Sequence, residues 1–516
     1  MIKKKILWVD DEIESLKPHI LFLEQKGFEL STSTSGDEAV ARVAKESFDL
    51  ILLDEMMPGK DGLTTLEEIK EINPHLPVVM VTKSEEETLM IEAIGQKIDD
   101  YLTKPVNPSQ ALMVAKRILD TKKIISESQM KRYITEINRF NQKLYGAMEP
   151  KDWQEAAKLL ASWDIELDDS PDEGLTQTHI GARKEWNNAF TKYLDRNYKN
   201  WVNSKDRPTL SPDVLKKYMV PLLKAGRKVL LLVVDCMRLD QWMAVESLAS
   251  KFYNIERDTY FSILPSATPF ARNALFSGLF PDDIARDYPD NYRDGDEGSL
   301  NRSEDILLAD FARREKINLT SAVRYEKIFD NTEGETLAKR VSDYYKSDLV
   351  AFVFNFLDIM AHGRSNNIIL KEIAGSEAAF RSLMKSWFTY SPLFSIIKSF
   401  AEKKEFTIII TSDHGSVLCS RGTLAHGKRD TSTNLRYKYG DNLNCDPKNA
   451  LLIKSPAEYR LPRFNLATTY IIAKEDYYFV YPNKYNEYIR QFYNSFQHGG
   501  ISLEEMVVPI AIMTPK

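Results

Sequence analysis

The amino-acid sequence predicts an α/β protein in which two parallel-sheet domains flank a helical segment. Four strand-like apolar runs alternate with amphipathic stretches between residue 1 and about residue 120: KKILWVD, FDLILLD, LPVVMVT and DDYLTKP. Such runs are missing from about 121 to 225, and three longer ones follow: VLLLVVD, DLVAFVFNFLD and EFTIIITSD. Alternating strands and helices are typical of parallel sheets. We therefore expect three domains, spanning residues 1–120, 121–225 and 226–516.

The composition is that of an ordinary soluble protein, with 43% hydrophobic and 28% charged residues. A formal net charge of -6 gives no general attraction for nucleic acid, so we expect no direct DNA binding. Three cysteines, Cys236, Cys419 and Cys445, are too few and too scattered for a disulfide framework or a paired-cysteine zinc site. We find neither a signal peptide nor an apolar stretch near the roughly 20 residues of a membrane helix, and expect a cytoplasmic protein without membrane insertion.

Polar side chains end the strand-like runs of the first domain. These residues are Asp10, Asp11, Asp54, Thr82 and Lys104. Three clustered carboxylates repel one another unless a hard cation lies among them, and Mg²⁺ prefers oxygen ligands. Each aspartate taken alone could also be an ordinary strand-end turn or helix cap, so the prediction depends on the five positions together.

This pattern covers about 120 residues and resembles the receiver domain of response regulators, which has a flavodoxin-like fold. The resemblance implies that Asp54 accepts a phosphoryl group and that Asp10 and Asp11 hold Mg²⁺ beside it. It also implies a partner histidine kinase.

The same resemblance gives roles to three further positions of the first domain. Lys104 would contact the phosphate on the modified aspartate, and Thr82 with Tyr101 would relay the change to the surface. Because a phosphoryl group adds charge and acceptor oxygens, it can bias a two-state surface.

The middle segment is predicted to be helical, because PKDWQEAAKLLASW and ARKEWNNAFTKYLDRNYKNWV repeat apolar residues at helical spacing. A helix that begins near Pro108 is predicted to continue beyond the first domain, with Ile118, Ile125, Tyr133 and Ile137 at helical spacings. A long helix can form a dimer seam. Our hypothesis is homodimerisation on phosphorylation; the alternative is a helix that packs on the helical domain.

The three apolar runs of the last domain are followed by aspartates, and in open parallel sheets ligands gather beyond the carboxyl ends of strands. The candidate site residues are Asp235, Thr268, Asp358, His362, Asp413, His414 and His498. The chain has only seven histidines, and three of them fall in this set.

These residues and their neighbours, over about 290 residues, resemble the alkaline phosphatase superfamily and especially its PglZ branch, which has a large α/β/α domain. The resemblance implies two metal ions. Asp235, Thr268, Asp413 and His414 would hold one ion, and Asp358, His362 and His498 the other. Imidazole and carboxylate ligands without thiolate suit Zn²⁺, with Mn²⁺ as the substitute.

Thr268 is the candidate nucleophile, by the same resemblance. We prefer it to Ser266 because Pro269 favours the first position of a helix, so that Thr268 would cap that helix where phosphate is also favoured. The spacing from Thr268 to Gly278 matches superfamily members that act on diesters, which implies a phosphodiester, nucleotide-like substrate. Taken alone, Thr268 could be only a helix cap, and His498 only a hydrogen-bonded core residue.

Two basic residues are candidates for substrate binding. Arg272 lies one turn into the predicted helix, where it could contact phosphate or merely occupy the surface. His426 lies in LAHGKRD and could line the pocket with Lys428 and Arg429; a solvated loop is the alternative.

The order of the three domains resembles the PorX-type family of response regulators. That resemblance implies control of type IX secretion through secretion-machinery proteins or a sigma factor. A rival hypothesis is a catalytically silent, metal-binding effector that serves as a phosphorylation-gated docking module.

Overall fold

A computed structural model describes residues 3–83, 98–169, 172–289, 301–363, 373–427, 434–482 and 485–516, without the side chains of 120–127, 362–363 and 485. The chain divides into two compact units, Met1–Glu136 and Ile137–Lys516. Within the described residues, no helix combines the length and the apolar character that a bilayer crossing needs.

The first unit contains a five-stranded parallel sheet in the order β2-β1-β3-β4-β5. Its strands are β1 (Lys5–Val9), β2 (Glu29–Ser33), β3 (Leu50–Asp54), β4 (Val78–Thr82) and β5 (Asp100–Thr103). Its helices are α1 (Lys17–Gln25), α2 (Gly36–Val43), α3 (Gly62–Ile72) and most of α4 (Pro108–Leu144), whose last turns belong to the second unit. Alternate residues of the central strands enter the apolar cores on the two faces of the sheet. The predicted receiver-like fold is confirmed.

The predicted long helix is α4, which has 37 residues. Near its C-terminal end, Phe140 packs on Trp186 with ring centroids 4.2 Å apart, and Trp186 Nε1 donates a hydrogen bond of 2.7 Å to Asn141 Oδ1. The last turns therefore pack on the helical linker. Ile125, which the dimer hypothesis uses, lies among the side chains that are not described.

The linker consists of α5 (Pro150–Asp169) and α6 (Glu173–Asn203), as the sequence predicts. Asp172 begins α6, and its side chain accepts a hydrogen bond of 2.9 Å from the Leu175 N–H. One face of α6 contacts the large sheet domain, where Phe190 stacks on Phe261. The linker and the large domain thus belong to one unit.

The large domain is built on a six-stranded sheet in the order β7-β19-β10-β6-β9-β8. The strands are β6 (Lys228–Val234), β7 (Tyr253–Phe261), β8 (Arg324–Ile328), β9 (Leu349–Phe354), β10 (Phe406–Thr411) and β19 (Val507–Pro515). Four neighbouring strands, β10, β6, β9 and β8, are parallel, whereas β19 pairs antiparallel with both β10 and β7. The predicted α/β domain is confirmed, but its sheet is mixed and not purely parallel, because β19 runs antiparallel to both of its neighbours.

Two apolar cores cover the faces of this sheet. Leu230, Leu232 and Val234 enter one core, whereas Leu231 and Val233 enter the other. A strand buried on both faces has no polar face, which explains the continuous apolar run in the sequence.

Helices and smaller strands surround this sheet. The helices are α7 (Val220–Lys224), α8 (Leu239–Ala249), α9 (Thr268–Ser277), α10 (Pro281–Asp287), α11 (Glu304–Arg314), α12 (Asn331–Lys339), α13 (Phe356–Gly363), α14 (Glu377–Tyr390), α15 (Pro392–Phe400), α16 (Tyr485–Phe492) and α17 (Leu503–Met506). The small strands are β11 (Val417–Cys419), β12 (Arg421–His426), β13 (Tyr437–Asp441), β14 (Asn444–Cys445), β15 (Ala450–Ile453), β16 (Thr468–Ala473), β17 (Tyr477–Val480) and β18 (Ser495–Gln497).

Candidate functional site

Three aspartates meet at the carboxyl ends of adjacent strands β1 and β3. Carboxylate oxygens of Asp10, Asp11 and Asp54 all lie within 4.8 Å of one another. Asp10 and Asp54 are buried, whereas Asp11 is exposed. An oxygen-only donor set of this kind, open on one side, suits Mg²⁺ with part of its water shell retained.

Lys104 lies between two of these carboxylates. Its Nζ is 2.9 Å from Asp10 Oδ2 and 2.9 Å from Asp54 Oδ2. Burial opposes its charge, but hydrogen bonds to the two aspartates outweigh burial and raise the pKa of Lys104. The pKa of Asp54 is also raised, chiefly by burial, because Lys104 offsets only part of that cost. The pocket therefore carries negative charge that one lysine does not neutralise.

The two residues of the predicted relay lie on neighbouring strands. Thr82 ends β4 and is buried, and its carbonyl oxygen accepts a hydrogen bond of 2.7 Å from Lys104 N–H. Tyr101 lies on β5 with 44% of its surface exposed. Their relay role stays a prediction.

A second cluster lies at the carboxyl ends of β6 and β10, which are adjacent and parallel. Asp235 follows β6, and Asp413 and His414 follow β10. One ligand atom from each of these residues lies within 4.8 Å of the others, and all three side chains are buried. His414 Nε2 lies 3.7 Å from Asp235 Oδ1 and 3.6 Å from Asp413 Oδ2.

The His414 ring presents its Nε2 to the carboxylates. Its Nδ1 lies 3.1 Å from the Gly415 carbonyl oxygen, so Nδ1–H donates there and Nε2 is left as an acceptor. Burial lowers the pKa of His414 to about 4. A neutral imidazole with a bare Nε2 is the form that binds a metal ion.

The Thr268 hydroxyl points into this cluster. Its Oγ1 lies 2.9 Å from His414 Nε2 and 3.4 Å from Asp235 Oδ1. Thr268 does not cap helix α9: it is the first helical residue, the cap residue is Ala267, and no side chain bonds there. The capping role predicted from the sequence is therefore wrong, because the hydroxyl bonds to His414 instead.

The other serine and histidine candidates also have defined partners. Ser266 Oγ donates a hydrogen bond of 2.7 Å to the Gly500 carbonyl oxygen, away from the cluster residues just described. His498 Nε2 lies 3.2 Å from Asp358 Oδ1. The rings of His498 and His414 stack with centroids 4.3 Å apart, which joins the two predicted ligand groups.

His362 lies one turn after Asp358 on α13, but its side chain falls outside the described residues. His426 is exposed at the end of β12. Lys428 and Arg429 also lie outside the described residues. The roles of these four residues stay predictions.

Arg272 is 1% exposed, so the surface alternative for this residue is wrong. Its Nε lies 2.9 Å from Asp413 Oδ2, and its Nη2 forms an ion pair with Asp235. On the far side, Nη1 donates to Asn355 Oδ1 at 3.1 Å and lies 3.5 Å from Glu304 Oε1. Its guanidinium is thus engaged by three buried carboxylates.

The pKa values of the two aspartates in the cluster are shifted in opposite directions. Burial raises the pKa of Asp235 well above its usual value, although Arg272 opposes the rise. Burial would also raise the pKa of Asp413, but Arg272 and then His414 outweigh it, and the pKa is lowered. A single arginine therefore leaves Asp235 short of compensating charge, which a divalent cation would supply.

Two partners of Arg272 were not predicted from the sequence. Asn355 directly follows β9, so its position at a strand end was a usable signal. Glu304 begins α11, and no sequence feature marks it; its contacts with Lys327 and Tyr325 arise only in the folded chain.

Protein-family models cover almost the whole chain. Residues 214–513 match the BREX system PglZ alkaline phosphatase-like domain. Residues 6–116 match the response regulator receiver domain, and residues 123–202 match the PorX response regulator linker domain. The chain therefore belongs to the PglZ alkaline phosphatase-like family, as a response regulator with a PglZ effector. Its three domains in this order are those of a PorX-type response regulator.

Individual relatives match the receiver domain. The chain is 36% identical over 115 residues to the transcriptional regulatory protein ResD of Bacillus subtilis (strain 168), covering 22% of this chain and 48% of ResD. It is 35% identical over 128 residues to the alkaline phosphatase synthesis transcriptional regulatory protein PhoP of the same strain, covering 25% and 53%. The chain thus spans about half the length of these curated relatives.

Among solved structures, a CheY-like receiver domain protein from Methanospirillum hungatei JF-1 is 32% identical, with a TM-score of 0.22, over 23% of this chain and 96% of that one. A receiver domain implies a cognate histidine kinase.

Proposed function

We propose that this response regulator is phosphorylated on Asp54 and that its effector is a zinc-dependent phosphodiesterase or phosphatase with Thr268 as nucleophile. One observation carries the proposal: the Thr268 hydroxyl lies 2.9 Å from His414 Nε2, inside a buried group of metal-ligand side chains. Placement of a hydroxyl among metal ligands is what an activated nucleophile needs.

The donor chemistry supports zinc. Two carboxylates and a neutral imidazole, with no thiolate, suit Zn²⁺, and Mn²⁺ is the substitute. The first ion would be held by Asp235, Thr268, Asp413 and His414, and the second by Asp358, His362 and His498. When bound, such ions lower the pKa of a hydroxyl nucleophile and stabilise the departing oxygen.

The chain's own residues orient the reaction. Asp235 and His414 hold the Thr268 Oγ1 at the N-terminus of the ten-residue helix α9, where backbone N–H groups favour a phosphate. Thr268 Oγ1 loses its proton to solvent and attacks phosphorus, and the bond to the departing oxygen breaks as that oxygen takes up a proton and leaves as an alcohol. Water then hydrolyses the phosphothreonine, which restores the Thr268 hydroxyl. The substrate class we propose is a phosphodiester of nucleotide-like type, with His426 as a candidate binding residue. The guanidinium of Arg272 is buried on Asp235 and Asp413, so this residue would position those carboxylates and not bind the substrate itself.

The test combines zinc content with hydrolysis of bis-p-nitrophenyl phosphate by the full chain. Thr268→Ala should lower kcat by roughly 10³-fold or more, because it removes the nucleophile, and it should keep its zinc, because Asp235, Asp413 and His414 still hold the first ion. Thr268→Ser, which keeps a hydroxyl, should retain most of the activity. Zinc binding without Thr268-dependent turnover would instead favour the docking module.

The upstream part of the proposal concerns the receiver. Phosphorylation of Asp54 would promote homodimerisation through α4. Light scattering with a stable phosphate mimic tests this, and an unchanged mass would contradict it.

The domain limits of 1–120, 121–225 and 226–516 and a cytoplasmic location are also part of the proposal. A role in type IX secretion through machinery proteins or a sigma factor is tested by the level of secreted proteins in cells carrying Asp54→Ala.

A further inference from the structure

The segment after His498 is packed against the metal-ligand turn of the effector. We call residues 499–506 the anchor segment. Gly415, which directly follows His414, donates its N–H to the Glu505 carbonyl oxygen at 3.0 Å. The segment that directly follows one proposed ligand, His498, is therefore bonded to the turn that carries another, His414.

The fit between the anchor segment and this turn is tight. A Cβ atom added at Gly415 would lie 2.0 Å from the Glu504 carbonyl oxygen, so only glycine allows the approach. The anchor segment also contacts the stretch that leads to Thr268, because Ser266 Oγ donates to the Gly500 carbonyl oxygen at 2.7 Å. A displacement of the anchor segment would therefore move both the turn that carries His414 and the stretch that leads to Thr268.

The linker helix α6 holds the anchor segment through polar side chains, of which Asn187 makes the shortest contacts. Asn187 is 6% exposed, and its Oδ1 accepts a hydrogen bond of 2.8 Å from the Leu503 N–H. Its Nδ2 lies 3.0 Å and 3.2 Å from the two carboxylate oxygens of Glu504. One turn earlier on α6, Arg183 Nε lies 3.6 Å from Glu504 Oε1.

These polar contacts lie at the edge of an open cavity. A cavity of about 710 Å³ lies beside them, lined in part by Arg183, Asn187 and Glu504. On the opposite side the effector supplies its own support, since Arg436 forms a buried ion pair with Glu505 at 2.6 Å. The anchor segment is thus held from the effector by Arg436 and from the linker by Asn187.

We propose that Asn187 is a positioning residue for the effector metal site, so that the linker helix is a structural part of that site and not only a connector. The inference rests on the proposed function, because it concerns the proposed ligands His414 and His498. Support around metal ligands typically changes metal affinity by 10-fold to 100-fold. Because Arg436 still holds the other side, loss of Asn187 should weaken the site without unfolding the domain.

The experiment compares Asn187→Leu with the parent full chain. Zinc affinity is measured by competition with a chromophoric chelator, alongside kcat and KM for bis-p-nitrophenyl phosphate and the thermal midpoint. We expect zinc affinity at least about tenfold weaker and a lower kcat at unchanged KM. The matched control is Asn197→Leu on the same helix, whose amide donates a hydrogen bond of 2.8 Å to the Tyr193 carbonyl oxygen within α6; it should change neither zinc affinity nor kcat.

A rescue pair covers the case in which Asn187→Leu folds poorly. Asn187→Asp keeps the acceptor for Leu503 N–H but places a carboxylate against Glu504, and should weaken zinc binding. Adding Glu504→Gln supplies a donor to that carboxylate, so the double variant should recover most of the lost affinity. A general loss of stability would not be repaired in this pairwise manner.

The outcomes separate the inference from the proposed function. A parent protein that binds zinc and hydrolyses the diester, with Asn187→Leu or Asn187→Asp folded and equal to it in zinc affinity, overturns the inference alone. A double variant that recovers nothing also overturns it. A parent that binds no metal overturns both proposals.

Discussion

The acidic pocket of the receiver and the buried cluster of the effector use the same backbone arrangement for different chemistry. Each places aspartates at the carboxyl ends of two adjacent parallel strands, and each adds one cationic side chain. In the receiver the third donor is an exposed carboxylate, Asp11, and the cation is Lys104. In the effector the third donor is the buried imidazole of His414, and the cation is Arg272.

The difference shows how burial and donor type would let two candidate metal sites in one chain select different ions. An open pocket with only oxygen donors favours a hard, partly hydrated cation that exchanges as a phosphodonor comes and goes. A buried site with nitrogen and oxygen donors favours a more tightly held ion such as zinc.

The largest effect is expected from metal removal, which tests whether the two sites prefer different metal ions. After dialysis against a chelator, diester hydrolysis should fall to the background rate, and Zn²⁺ should restore it whereas Mg²⁺ should not. Transfer of a phosphoryl group from an acyl phosphate to Asp54 should show the opposite preference. Both activities can be followed in the same sample, and recovery of hydrolysis by Mg²⁺ would contradict the assignment.

The next largest effect is expected from removal of the buried arginine of the effector, Arg272. Arg272→Met leaves Asp235, Asp413 and Glu304 buried without that partner, and in the metal-free protein it should lower the free energy of unfolding by about 3 to 5 kcal/mol. Chemical denaturation with and without zinc measures this, and saturating zinc should reduce the deficit.

Arg286→Met is the matched control, because Arg286 is mostly exposed and pairs with aspartates at the surface. It should leave the free energy of unfolding almost unchanged. Equal effects of the two substitutions would show that the buried arginine does not neutralise the cluster.

The smallest effect concerns the receiver. Burial raises the pKa of Asp54, so the folded unit binds a proton more tightly than the unfolded chain does. This contribution to stability is complete below the usual carboxylate pKa of 3.8 and is lost as pH rises through the raised pKa. At pH 7 without Mg²⁺, Asp54→Asn should therefore stabilise the first unit.

Hydrogen exchange in β3 of the full chain measures that change. Asp37→Asn, at an exposed aspartate of the same unit, should give no such gain. Slower exchange in both variants, or in neither, would contradict the charge argument for Asp54.

Residues that follow apolar strands were within reach of the sequence. Continuous apolar runs predict strands that are buried on both faces of a parallel sheet, and the carboxyl ends of such strands lie at the same edge. Four of the site aspartates end or follow a run of this kind: Asp10, Asp54, Asp235 and Asp413. The capping role of Thr268 was wrong, because spacing located the helix but could not show which partner the hydroxyl takes.

What the sequence alone determined was the order of three domains and the candidate residues at the strand ends, because strand and helix periodicities are local properties of the chain. Only the tertiary structure decided that Arg272 is buried among three carboxylates and that Asn187 of the linker holds the segment behind His498. Such pairings join residues far apart along the chain, and the free energy that selects them comes from burial and charge compensation in the folded state.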